Sequence, residues 1–267
     1  MNIRAQLPIF ESRFISNSIF LPSESVIMVW KIVLFILMCF VIITGISFPI
    51  VEHPQGWMQF PIIPGLGEKA KIIFFHVPTA WLSVLAFLMA MVYSIRYLRK
   101  KNLDDDAKSA ASLQIGMVFC VLATVTGSIW AKFNWGTFWN WDPRETSIFI
   151  LLLIYGSLFA LRSAVENEDK RARLSAVYSI IAFLTVPFFI FIMPRIMLGL
   201  HPGSLEIDPN TGKIVQGTSP VVDFKMNGNM RLVFFTSLAA FTILYFWMWK
   251  LRSRAIIIKE NLSKKLI

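Results

Sequence analysis

Long apolar stretches, neither alternating nor confined to one helical stripe, dominate the pattern of this chain. Six of them, at 31–50, 72–95, 112–130, 147–162, 174–194 and 231–249, approach the roughly 20 residues that a helix rising ~1.5 Å per residue needs to cross a ~30 Å hydrocarbon layer. The fourth is the shortest and is expected to extend at one end. A helix that is apolar on every side has lipid as its solvent, where each backbone N–H and C=O must be satisfied internally. The first stretch is too long for the core of a signal peptide, and no A-x-A site follows it. The pattern predicts an all-α membrane protein: one bundle of six transmembrane helices over 28–250, followed by a basic tail at 251–267. Residues 1–27 fit no span. They mix apolar and polar residues with Pro8 and Pro22, and are either an interfacial segment or a start placed upstream of Met28.

Charge orients the bundle. Six spans put both termini on one side, and that side collects eighteen of the 26 Lys and Arg, including Arg96, Arg99, Lys100, Lys101, Arg171 and Arg173. The other side holds eight: Lys69, Lys71, Lys132, Arg144, Arg195, Lys213, Lys225 and Arg231. Cytoplasmic loops carry the basic excess. Both termini are therefore expected in the cytoplasm, with 51–71, 131–146 and 195–230 facing outward. The acidic residues divide nine inside and seven outside, so the outer face is nearly neutral. The formal charge of +10 needs no nucleic-acid partner. The acidic run Asp104–Asp106 on the inner side is expected to be a solvated loop or a helix cap.

Composition agrees. The 267 residues are 56% hydrophobic and 16% charged, with a mean hydropathy of +0.62; a soluble domain carries about one-quarter charged residues. Cys39 and Cys120 both lie in apolar runs and form neither CxxC nor CxxCH, which leaves no disulfide framework and no self-attached c-type haem. Gly65-Leu66-Gly67-Glu68-Lys69 lacks the spacing of a phosphate-binding loop. No GxSxG elbow is present. Pro187 is expected to kink the fifth span.

The chemistry concentrates on the outer face. Residues 130–146 read WAKFNWGTFWNWDPRET and hold four of the nine tryptophans. Tryptophan belts occur at both membrane interfaces, but a belt needs no Asp and Arg directly after it. Trp135 and Trp139 are four apart, with Phe138 between them, so a short interfacial helix in this segment would gather them into one aromatic wall. Such a wall suits a large flat apolar ligand. The fork of Arg144 would either hold the ligand's acidic groups or pair with Asp142. All three histidines lie on the outer half. His76 sits inside the second span, where ionisable side chains are costly and by default functional, and Pro78 withholds a backbone donor beside it. His201 follows the fifth span at the same depth. His53 lies in the first outer loop and is expected to be solvated. Two histidines on different spans, level with an aromatic platform, point to the axial ligands of a haem. Zinc lacks a third ligand.

These residues resemble the tryptophan-rich haem-handling membrane proteins of cytochrome c biogenesis. The family's WGxxWxWDxRxT pattern is matched at Trp135, Gly136, Trp139, Trp141, Asp142, Arg144 and Thr146. Phe138 stands where a further Trp is common, and Pro143 where a small residue is common. The His76-Val-Pro-Thr-Ala-Trp and His201-Pro-Gly-Ser contexts look most like the haem exporter protein C, or CcmC, type. Larger relatives of the F-type and the single-complex synthase carry a second histidine pair, which three histidines cannot supply. The resemblance implies a transport and assembly factor, not an enzyme, in the bacterial inner membrane. It would hold haem b against the tryptophan platform on the periplasmic face, with His76 and His201 as axial ligands. Its partners would be a periplasmic E-type haem chaperone, a single-span D-type subunit and the A and B subunits of an ABC transporter.

Three alternatives make distinct predictions. A b-type electron carrier needs histidine pairs at two depths in the membrane. A haem or solute channel predicts more polar residues lining the spans. A pure scaffold leaves the histidine–tryptophan cluster without a role.

Overall fold

A computed structural model describes residues 24–63, 66–217 and 226–265; most of the N-terminal segment 1–27 lies outside them. The structure is mostly helical, and six of its helices are long and apolar enough to cross a membrane: Met28–Ser47, Gly67–Lys100, Leu103–Trp135, Pro143–Ala164, Glu168–Ile196 and Gly228–Lys264. In chain order the α-helices are α1 (Glu24–Ser47), α2 (Ile73–Lys100), α3 (Leu103–Trp135), α4 (Pro143–Ala164), α5 (Glu168–Pro187), the single turn α6 (Met193–Ile196) and α7 (Gly228–Lys265). A 3₁₀ turn, Gly67–Ile72, runs into α2. Residues 251–265, expected as a tail, continue α7.

The centre is the hairpin of α2 and α3, against which α5 and α7 pack. In lipid, helices are drawn together by small residues and by hydrogen bonds, not by burial from water. Both devices appear here. A Cβ on Gly116 would stand 2.9 Å from the Ala86 Cβ and from the Phe87 ring, so the two backbones touch where side chains are smallest. Ser112 donates to the Ala86 carbonyl at 2.7 Å, Ser109 to the Ala90 carbonyl at 3.0 Å, and Ser112 shares a 2.7 Å bond with Tyr245 of α7. Each such bond contributes about 0.6 kcal/mol in membranes. By contrast α1 buries only Leu34, Val41, Thr44 and Gly45 within the span and leaves Ile32, Phe35, Ile36, Ile43 and Ile46 exposed, as a peripheral lipid-facing helix does.

At the end of the bundle where α1 begins and α7 ends, called the terminal end, Trp30 of α1 meets Trp247 of α7 edge-on, 5.3 Å between centroids. The acidic run is at this end, but it is neither a solvated loop nor the cap. Asn102 caps α3 by accepting from the Asp104 N–H, and the run forms the first turn. Asp105 and Asp106 are only 1% and 3% exposed. Asp106 takes a two-pronged bond from Arg162 of α4 at 2.8 and 2.9 Å, and Asp105 lies 3.3 Å from Arg96 of α2. Lysines nearby in sequence suggested solvation; arginines from two other helices are the shorter partners, with Lys108 4.0 Å from Asp105. Arg171–Glu260 and Lys264–Glu168 join α5 to α7 at the same end.

The fifth span changes winding at Pro187. Lacking an N–H, Pro187 leaves the Phe183 carbonyl without its helical partner, and the chain continues as a wider π turn, Phe188–Ile192, before α6. Beyond α6 a short antiparallel hairpin, β3 (Leu205–Ile207) with β4 (Ile214–Gln216), extends from the loop face. A two-residue parallel pair, β1 (Ile50–Val51) and β2 (Phe60–Pro61), brackets the loop after α1.

Candidate functional site

The segment 131–146 forms no separate interfacial helix. The third span overruns its expected end, so Trp130 and Trp135 occupy the last turns of α3. Gly136 then stops the helix in the left-handed region (φ 86°), its N–H bonded to the Lys132 carbonyl, a conformation that costs glycine nothing. The tryptophans consequently divide into two groups. Trp130 and Trp135 meet edge-on at 5.0 Å. Trp139 meets Trp141 at 5.8 Å and Phe149 of α4 at 6.1 Å. The single wall expected of Trp135, Phe138 and Trp139 is not formed, because Gly136 turns the chain between them; Phe138 is exposed and lies beside Lys132.

Asp142 and the residues around it form a clamp. Trp141, 69% exposed, adopts a left-handed conformation (φ 56°), unfavourable for a bulky residue, and this turns the Asp142 carboxylate inward to 4% exposure. Its Oδ1 accepts from the Arg144 N–H at 2.9 Å, completing with Glu145 a reciprocal cap on α4. Its Oδ2 accepts from the N–H groups of Leu200 and His201 at 2.7 and 3.3 Å. Gly199 permits this approach, since a Cβ there would lie 2.8 Å from Oδ2. Glu145 accepts from Asn140 N–H at 2.7 Å, and the Thr146 hydroxyl donates to the Trp141 carbonyl at 3.3 Å. The Asp and Thr of the motif therefore bond to backbone.

The clamp positions His201. Residues 201–204 form a β-turn with Pro202 and Gly203 (φ 86°) at its centre, closed by the Ser204 N–H to the His201 carbonyl at 3.0 Å. Gln216 of β4 braces the turn through the Gly203 carbonyl. The His201 Nδ1 lies 3.0 Å from the Pro202 carbonyl oxygen. That oxygen can only accept, so Nδ1 carries the hydrogen and Nε2 keeps a free lone pair. Burial, and next the charge of Arg144, push the imidazole's pKa down to about 3 against the opposing bond to Pro202, and His76 adds a smaller push in the same direction as burial. The ring is therefore neutral, as an iron ligand requires.

His76 occupies the first turns of α2. Its Nδ1 is 3.0 Å from the Thr126 hydroxyl of α3, and its ring lies over Gly127. Pro78 does more than loosen the helix: the Phe74 carbonyl it leaves unbonded accepts a hydrogen bond from buried Ser237 of α7, which ties α2 and α7 together beside His76. His201 in turn rests near Trp130 of α3, 5.9 Å between ring centroids. Positions 126, 127 and 130 share one face of α3 and are about one turn, ~5 Å, apart along its axis. Two histidines separated by 124 residues of chain thus meet on neighbouring turns of one helix.

Arg144 does not form an ion pair with Asp142; its Nε is buried with no hydrogen-bond partner. Arg195, on α6 packed against α4, is close enough for the two charges to repel. The Trp130 indole N–H is likewise buried and unpartnered. Of the expected site residues, His76, His201, Asp142 and Arg144 come together, and Trp135 joins them through Trp130. Gly136 and Thr146 shape the chain around them. Trp141, against which Trp139 packs, borders with Asp142 a groove of about 420 Å³ between this loop and β3. His53 is exposed and held only locally, through Gln55. Trp130, Thr126, Gly127 and Gly199 were not singled out from the sequence as site residues, although Trp130 is five residues from Trp135 and level with the motif.

Comparison with known proteins identifies the family of the chain. The family description heme exporter protein C matches residues 12–267. The heme exporter protein C of Paracoccus denitrificans is 31% identical over 198 residues, covering 74% of this chain and 77% of that protein. That of Rhodobacter capsulatus is 34% identical over 154 residues, covering 57% and 64% respectively. That of Bradyrhizobium diazoefficiens is 38% identical over 125 residues, covering 47% and 48%. The chain is a multi-pass membrane protein that belongs to the heme exporter protein C family.

Proposed function

We propose that the protein handles haem for cytochrome c maturation, holding haem b at the periplasmic face of the bacterial inner membrane and delivering it to a periplasmic E-type haem chaperone. It acts as a transport and assembly factor, alongside a single-span D-type subunit and the A and B subunits of an ABC transporter. The observation that carries this reading is the convergence of His76 and His201 on adjacent turns of α3 with both Nδ1 atoms engaged, which leaves two Nε2 lone pairs for the two axial positions of one iron. The unpartnered donors Trp130 Nε1 and Arg144 Nε suit a cargo that brings carboxylates and a π face. Arg144 and Arg195 are the cations placed to meet the propionates.

The test is the visible spectrum of detergent-purified protein given haem b. A six-coordinate signal is expected for the parent protein and for His53→Ala, and a loss or change of it for His76→Ala and His201→Ala. Loss in His53→Ala with retention in His201→Ala would overturn the ligand assignment. Transfer to the chaperone is read as covalent haem on the chaperone, which both ligand variants should abolish.

A further inference from the structure

The proposed function names an iron ligand on α2, but the side chains that seat that ligand belong to α3. The hydroxyl of Thr126 lies 2.7 Å from the Leu122 carbonyl, one turn back. The Ala123 carbonyl accepts from it too, at 3.2 Å; a hydroxyl has one hydrogen, and a carbonyl can only accept, so that hydrogen is committed to the backbone of α3. Towards His76 Nδ1, 3.0 Å away, Thr126 presents a lone pair, and the hydrogen of this bond comes from the imidazole. The tautomer with hydrogen on Nδ1 and a free Nε2 is thereby selected. The next residue, Gly127, supplies the space. A Cβ there would stand 2.9 Å from His76 Cε1, 3.6 Å from Nδ1 and 3.8 Å from Nε2. It would press on the carbon between the two nitrogens and displace the ring from its bond to Thr126. Gly127 has no positive φ to explain it, and glycine is a poor residue for a helix interior.

Resting on the haem-binding reading, we infer that Thr126 and Gly127 of α3 are positioning residues for His76: the first fixes the tautomer and the second the ring position that together aim Nε2 at the iron. Neither touches the iron. Their effect is on the occupancy and character of one axial bond, as for the partners that orient metal-ligating histidines elsewhere.

The experiment uses the full chain in detergent, titrated with haem b, and reads three quantities: haem affinity, the coordination state from the visible and resonance Raman spectra, and the midpoint potential. Thr126→Val keeps the shape of the side chain and removes the acceptor. It should weaken haem binding roughly ten- to hundredfold and convert six-coordinate to five-coordinate spectra. Thr126→Ser should restore both, together with the potential. Gly127→Ala should reproduce the Thr126→Val spectrum. Alanine is the better helix former, so a fall in haem binding there cannot be charged to helix propensity. Gly156→Ala, where an added Cβ meets nothing within 4 Å, is the control and should leave all three readouts unchanged. Parent affinity, spectrum and potential in both Thr126→Val and Gly127→Ala, with His76→Ala still losing the signal, overturns this inference alone. A parent-like spectrum in His76→Ala overturns the ligand assignment beneath it. Should one variant fail to fold, as judged by size-exclusion and thermal midpoint, the other decides.

Discussion

Replacing Asp142 by asparagine isolates the clamp on His201 from the cap on α4. Asparagine caps a helix as well as aspartate does, so one side-chain oxygen can go on accepting from the Arg144 N–H, at 2.9 Å in the parent. The position of Oδ2 is then taken by an NH₂ group, which meets the N–H groups of Leu200 and His201 as donor against donor. In the parent these stand at 2.7 and 3.3 Å from the carboxylate, and the shorter bond carries most of the interaction. Leaving a buried donor unsatisfied costs about 1–3 kcal/mol, which makes the loss about 2 kcal/mol, or roughly thirtyfold in the equilibrium between latched and unlatched 199–204 turn. The assay is haem titration followed by its spectrum: about thirtyfold weaker retention, with insertion and helical content unchanged. Gly199→Ala strains the same bond, since its Cβ would lie 2.8 Å from Oδ2. The two changes together should cost less than their sum. Parent-like haem affinity in Asp142→Asn, or strict additivity with Gly199→Ala, would refute the clamp.

Other expectations follow from the same contacts. Ser237→Ala should lower the thermal midpoint in detergent by removing the donor to the Phe74 carbonyl, and adding Pro78→Ala should recover part of it by returning a backbone N–H to that carbonyl. Arg162→Met alone should cost about 3–5 kcal/mol because it strands the buried Asp106 carboxylate, whereas Arg162→Met with Asp106→Leu should recover most of the loss; equal destabilisation by the single and double variants would show that the cost does not come from a stranded carboxylate. Trp141→Gly relieves a left-handed residue worth about 1–2 kcal/mol, so the thermal midpoint should rise. Haem retention should fall in the same variant if the exposed indole contributes to the platform, and unchanged retention would remove Trp141 from it.

The spans were legible because lipid imposes a length and a composition that no neighbouring helix needs to supply. Their ends were less so. The third span was read as 112–130 and runs over Leu103–Trp135, because Asp105 and Asp106 are carried into the bundle by Arg96 and Arg162, and hydropathy along a single chain does not register partners on other helices. The fourth grew at its N-terminal end to Pro143, where Asp142-Pro143-Arg144-Glu145 spells a capping sequence. The two histidines were legible as costly polar groups at one depth. The short interfacial helix was not real, since its tryptophans belong partly to α3 and partly to a turn that Gly136 begins. Thr126 and Gly127 escaped notice because a threonine and a glycine in a membrane helix are commonplace; only the ring of His76, 50 residues away in the chain, gives them a task. The strands of the 205–216 hairpin escaped as well, being three residues each.

The ion pairs of the described residues also fix where the bundle can pivot. Four that join two different helices lie at the terminal end, whereas the Lys71–Glu68 pair at the opposite end lies within a single turn. At the opposite end hydrogen bonds link the helices instead, such as Ser237 to the Phe74 carbonyl and His76 to Thr126. Over a ~30 Å span, a tilt of about 3° at the terminal end displaces the far tip by about 1.6 Å, more than half the 2.7 Å that separates Asp142 Oδ2 from the Leu200 nitrogen. The bond that holds His201 is therefore short against the displacement that even a small tilt at the terminal end would produce.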